Sequence, residues 1–75
     1  METLGQRLGA TRRRNVMTQA ELAAAAGVSL ITVTRLENGG EEANPRPTTV
    51  RRLAKALDVE PAWLLFGGEE LKAAA

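Results

Sequence analysis

Apolar positions along the chain fall mostly at intervals of three and four, the spacing that builds one face of a helix. Leu4 and Leu8, with Thr11 next in step, predict a first helix that opens at a Thr3–Gln6 capping pair and runs to the basic stretch Arg12–Arg14. After a link of Asn15, Val16 and Met17, Thr18 and Glu21 form a second capping pair over QAELAAAA, a helix that Gly27 ends. The next stretch, GVSLITVTRLENG (27–39), is rich in β-branched residues, but Leu30 and Ile31 are adjacent and would face opposite sides of a strand. On a helical wheel Ser29, Thr32, Val33 and Leu36 share one face, with Leu30, Ile31, Thr34, Arg35 and Asn38 opposite. Ser29 is a suitable N-cap and Asn38-Gly39 a suitable stop, so a third helix is expected, at roughly a few tenths of a kcal/mol per β-branched residue.

GGEEANPRP (39–47) reads as loop throughout, with its glycines and two prolines. Thr48 is expected to cap a fourth helix, with Val50, Leu53, Ala54 and Leu57 turned inward and Arg51, Arg52 and Lys55 outward. Pro61 suits the first position of a short fifth helix, AWLLF, closed by Gly67-Gly68. The remaining EELKAAA suits a frayed helix, a linker or a chain end. Residues 1–67 thus read as one domain and 68–75 as a tail, disordered or contributing to a dimer.

Composition narrows the chemistry. In 75 residues, 44% hydrophobic but only 3% aromatic, the core must be built from Leu, Val, Ile and Ala around Trp63 and Phe66, which favours packed helices. Without Cys or His there is no disulfide, no thiolate or imidazole metal site and no histidine catalysis. With no Tyr and no paired carboxylates in a pocket motif, no acid, base or nucleophile constellation is present, so neither catalysis nor a cofactor is expected. No apolar run approaches the roughly 20 residues of a membrane span, and METLGQRLG lacks the order of a signal peptide, so a soluble cytoplasmic protein is expected. The net charge of +1 hides an asymmetry. Nine basic residues face five acidic ones up to Leu57, giving +4, whereas Lys72 stands against Asp58, Glu60, Glu69 and Glu70 in the remainder, giving −3. The first part suits a polyanion, or simply a solvated basic face.

Only Gly27 and Val28 separate the second helix from the cap of the third, so the two helices must cross closely, which the small Ala23 and Ala26 permit. Gly27 can take the positive φ of a sharp turn, and Leu22, Val28, Val33 and Leu36 can meet inside the angle. This is the pattern of a helix-turn-helix. The run TQAELAAAAGVSLITVTRLENG, with LAKALDV and PAWLLFG after it, resembles the Xre-type family, the lambdoid phage repressor and Cro DNA-binding domains, over residues 4–67. The resemblance implies an all-α, five-helix lambda-repressor-like bundle that places its third helix in the major groove of double-stranded DNA.

By position, the resemblance gives Gln19 a phosphate contact and a bracing role toward the third helix, and sets Ser29, Leu30, Ile31, Thr34 and Arg35 at or beside base-reading positions. It pairs Arg12 with Glu37 as a structural ion pair, and brings Asn38, Arg46 and Thr48 toward the backbone. Leu30 and Ile31 suit thymine methyls, the apolar target of that groove, and Arg35 suits guanine; the pair also suits a docking patch for a protein partner. Glu41 and Glu42 would repel phosphate if they faced the duplex, and Trp63 belongs in the core. The function expected is a bacterial or phage transcriptional regulator, a repressor on an inverted repeat, acting as a homodimer through Leu65, Phe66 and Leu71. The alternatives are the antitoxin of a toxin-antitoxin pair and an interaction module that does not bind DNA.

Overall fold

The computed structural model describes residues 2–39 and 44–68. Five helices follow one another: α1 (Leu4–Arg14), α2 (Gln19–Ala26), α3 (Leu30–Asn38), α4 (Pro47–Leu57) and α5 (Pro61–Phe66). None among the described residues is long and apolar enough to cross a membrane. The expected Glu41–Glu42 repulsion and the tail with Leu71 lie outside the described residues.

Helices of six to eleven residues are marginal alone, so their ends matter as much as their faces. At α1 and α2, Thr3 and Thr18 accept from the N–H groups of Gln6 and Glu21, whose side chains reach back to the cap N–H groups. Ser29 caps α3 alone, its Oγ accepting from Thr32 N–H at 3.1 Å. At the other end of α2, Gly27 adopts φ +70°, the left-handed conformation that turns the chain into α3.

The start of α4 corrects the expectation that Thr48 is its cap and that the loop runs through residue 47. Arg46 occupies the cap position without a side-chain hydrogen bond, Pro47 is the first helical residue, and Thr48 lies within the first turn. Proline lacks an N–H and carries a helix-compatible φ, so it opens a helix without leaving a donor unmet, while the residue before it is pushed into the extended conformation.

Leu8, Leu22, Val33, Leu53 and Leu64, one from each helix, are completely buried, and Trp63 packs with them. Each contributes about 1.5–3 kcal/mol of burial. Around this centre α1 and α2 pack on α3, α2 on α4, and α5 closes against α1 and α4. The link between α1 and α2 passes through exposed Val16 at φ +55°, an uncommon conformation for a β-branched residue.

Two glycines four residues apart in α1 set how near α3 approaches. A Cβ on Gly5 would collide with the main-chain oxygens of Leu36 and Glu37, the latter at 2.7 Å. On Gly9 it would meet only side-chain atoms, Glu37 Oε1 and Arg13 Nη1, each at 3.2 Å. Helix propensity alone favours alanine over glycine by up to about 1 kcal/mol. The contact reverses that sign. Gly5→Ala is expected to destabilise by about 1–3 kcal/mol, lowering Tm by roughly 4–8 °C per kcal/mol, and Gly9→Ala by less; thermal melts of both variants check the order.

Candidate nucleic-acid interface

The outward face of α3 is unusual for a water-facing surface. Leu30 is 47% and Ile31 61% exposed, although both are large and apolar. Arg35 and Asn38 are exposed one turn further along, and Ser29 is exposed at the cap, whereas the wheel had assigned Ser29 to the inner face. Val33 and Leu36 point into the core, which fixes the rotation of the helix and hence which residues remain outside.

Thr34, expected on the open face, is only half exposed and bonded inward. Its hydroxyl donates to Gln19 Oε1 at 3.3 Å, and Gln19 Nε2 donates to Glu37 Oε1 at 3.1 Å. Arg12 completes the arrangement with Nε 2.7 Å from Glu37 Oε2 and Nη2 3.1 Å from Oε1, while its Nη1 donates to the Met17 carbonyl at 2.8 Å. Both side chains of this forked pair are largely buried. Burial pushes the Glu37 carboxyl upward, but the bonds from Arg12 and Gln19, with the charges of Arg12 and Arg13, outweigh it and hold the group below its ordinary range. Arg12 is raised, chiefly by its bond to Glu37.

Beside α3 an open cleft of about 610 Å³ is walled by Arg35 on one side and by Asn44, Pro45 and Arg46 on the other. Arg46, which lines this cleft, and Thr48 are exposed at the start of α4. Asn38 is exposed at the last position of α3. No cluster of groups that could hold a metal ion occurs among the described residues.

Two arginines have places that sequence reasoning did not assign. Arg7, counted only among the nine basic residues, is 6% exposed and donates to the Leu64 and Leu65 carbonyls at 3.1 and 2.9 Å and to the Glu2 carbonyl at 2.9 Å. It satisfies the end of α5 from the opposite end of the chain. Arg52, assigned to solvent, keeps an exposed stem but donates to the Gly27 carbonyl at 3.2 Å, steadying the turn between α2 and α3. The signal for Arg7 was its spacing, three residues after Leu4 and four before Thr11, on the inward stripe of the first helix.

A family model described as helix-turn-helix matches residues 8–64. The HTH-type transcriptional repressor RghR of Bacillus subtilis (strain 168) is 36% identical over 66 residues, which are 88% of this chain and 48% of that protein. The HTH-type transcriptional regulator DicA of Escherichia coli (strain K12) is 35% identical over 68 residues, 91% of this chain and 49% of that protein. The chain therefore spans about half the length of these curated relatives. Among solved structures, the P22 c2 repressor protein in complex with a synthetic operator superposes with a TM-score of 0.82 at 31% identity, over 91% of this chain and 100% of that one.

Since the folded-state pKa of Glu37 lies below the ordinary value of 4.5, its contribution to stability is complete above that value and is lost as pH falls through the lower folded one. Glu37→Gln, which leaves Arg12 half-paired, is expected to cost about 1–3 kcal/mol at pH 7. The difference from the parent should shrink toward pH 3, as thermal melts across that range would reveal; a constant gap would mean that the carboxylate charge contributes nothing.

Proposed function

Because the chain belongs to the Cro/C1-type helix-turn-helix family of DNA-binding transcriptional regulators, we propose that it binds double-stranded DNA sequence-specifically and represses transcription by occupying an operator. The observation that carries this reading is the exposed Leu30–Ile31 pair on a helix that is otherwise firmly braced. An apolar pair facing water costs solvation that an interface recovers, and in the major groove the thymine methyl is its natural counterpart.

In this reading Ile31 and Leu30 cover thymine methyls at neighbouring positions, Ser29 and Thr34 approach the same edges, and Arg35 pairs with guanine O6 and N7. The N-terminus of α2 beside Gln19 faces one phosphate, while Asn38, Arg46 and Thr48 approach another. The protein acts as a binding module without catalytic chemistry, in the cytoplasm where operator DNA lies.

One small module buries too little surface for tight specific binding, and two copies on an inverted repeat overcome this. The surface proposed for pairing is the groove of about 200 Å³ between α4 and α5, bounded by Pro47, Val50, Pro61 and Leu65 and edged by Phe66, which is 77% exposed.

Selection of bound duplexes from a random library, followed by anisotropy titration at two salt concentrations, should enrich a thymine-containing inverted repeat whose affinity falls as salt rises. Flat anisotropy at low salt would end the DNA reading and turn attention to a protein partner for Leu30 and Ile31. Replacing the contacted thymine by uracil removes one methyl and should weaken binding about fourfold, a loss that Ile31→Ala should no longer show. Light scattering of the complex should count two chains per enriched site; one chain would refute the dimer.

A further inference from the structure

The network behind α3 has a direction. Glu37 is ionised and paired with Arg12, so it can only accept hydrogen bonds. The terminal atom of Gln19 that meets it must therefore be the amide nitrogen, which lies 3.1 Å from Glu37 Oε1. That choice turns Gln19 Oε1 toward Thr34, and since a carboxamide oxygen only accepts, the single hydroxyl proton of Thr34 is committed to Gln19 at 3.3 Å. Only lone pairs remain on Thr34 Oγ1 for anything approaching from outside. Thr34 lies four residues from both Leu30 and Asn38 and three from Ile31, all exposed, so what approaches is the ligand of the α3 face.

We propose that the chain from Glu37 through Gln19 to Thr34 sets the hydrogen-bond polarity of the recognition face, making Thr34 an acceptor for an exocyclic amino group, adenine N6 or cytosine N4, and unfavourable opposite guanine O6 or thymine O4. The proposal rests on the DNA reading above and adds the class of base edge that one position selects. Thr34 is the specificity-determining residue; Gln19 and Glu37 are positioning residues that act through it. Without the charge on residue 37 the direction is no longer imposed. Removing Gln19 lifts the constraint directly: without its Oε1 the Thr34 hydroxyl is free to donate as well as to accept.

The test uses the enriched duplex and single-base analogues: purine in place of each adenine and 2-pyrimidinone in place of each cytosine, which lack the amino group. Affinities are measured for the parent chain, Thr34→Val and Thr34→Ser, with thermal melts establishing that each folds. At one position the parent and Thr34→Ser should lose roughly two- to tenfold on removal of the amino group, and Thr34→Val should lose measurably less. Equal losses in all three proteins at every position would overturn the assignment. So would coupling of Thr34→Val to a position whose partner is guanine O6 or thymine O4. Gln19→Ala, which frees the Thr34 proton, should narrow the preference for an amino-bearing over a carbonyl-bearing base at that position, and an unchanged preference in a folded variant would overturn the relay. If the parent chain binds no duplex, the DNA reading falls and this proposal with it, whereas binding without amino-group coupling removes only the proposal.

Discussion

A single carboxylate holds α3 to the rest of the domain. Glu37 sits near the C-terminal end of α3, where the helix dipole opposes a negative charge and burial opposes it further. It is tolerable only because Arg12 from α1 and Gln19 from α2 both donate to it. The same requirement therefore joins three helices at one point. Glycines at positions 5 and 9 let α1 come near enough for the pairing to form, since a side chain at either would intrude on α3 or on the carboxylate itself. Removing one partner leaves a buried charge or a buried donor unmet, which is why such clusters specify geometry more than they add net stability.

The consequence is that the rotation and tilt of α3 are fixed from within the domain. Val33 and Leu36 anchor its inner face, Glu37 its end, Thr34 its flank, and the left-handed turn at Gly27 its beginning. Arg52 reinforces that turn from α4. A face held in this way presents Leu30, Ile31 and Arg35 at fixed spacing, so little ordering entropy is lost when they meet a partner of matching shape. At the far side of the domain Arg7 does for α5 what the capping threonines do for α1 and α2, except that it spans nearly the whole sequence to do so. The position of Phe66, and of the groove beside it, depends on that clamp through the carbonyls of Leu64 and Leu65.

Much of this was legible in the order of residues. The capping pairs Thr3–Gln6 and Thr18–Glu21 act within four residues, and the three-and-four spacing of leucines needs only the pitch of a helix, so helix number, turn and inward face followed from local rules. The adjacency of Leu30 and Ile31 likewise implied an exposed apolar pair, because no rotation of a helix with Val33 and Leu36 buried can hide both. Thr48 misled because a threonine before an apolar stripe is a good cap in isolation, yet the proline beside it was the stronger local signal.

What local rules could not reach are interactions between residues far apart in the chain. Arg7 and Leu64 are 57 positions apart, and although Arg7 falls on the inward stripe of α1, nothing near either one marks the carbonyls of α5 as its partners. The glycines of α1 read as weak points in a helix until α3 is laid across them. Thr34 counted as an outward residue by the wheel, and only the arrival of Gln19 from another helix turned its proton inward. By itself the sequence determined which segments are helical and which face of each is apolar, since both follow from neighbours within a turn or two. The tertiary structure alone decided which polar groups meet and in which direction each bond runs, because that depends on distances between helices that no local pattern encodes.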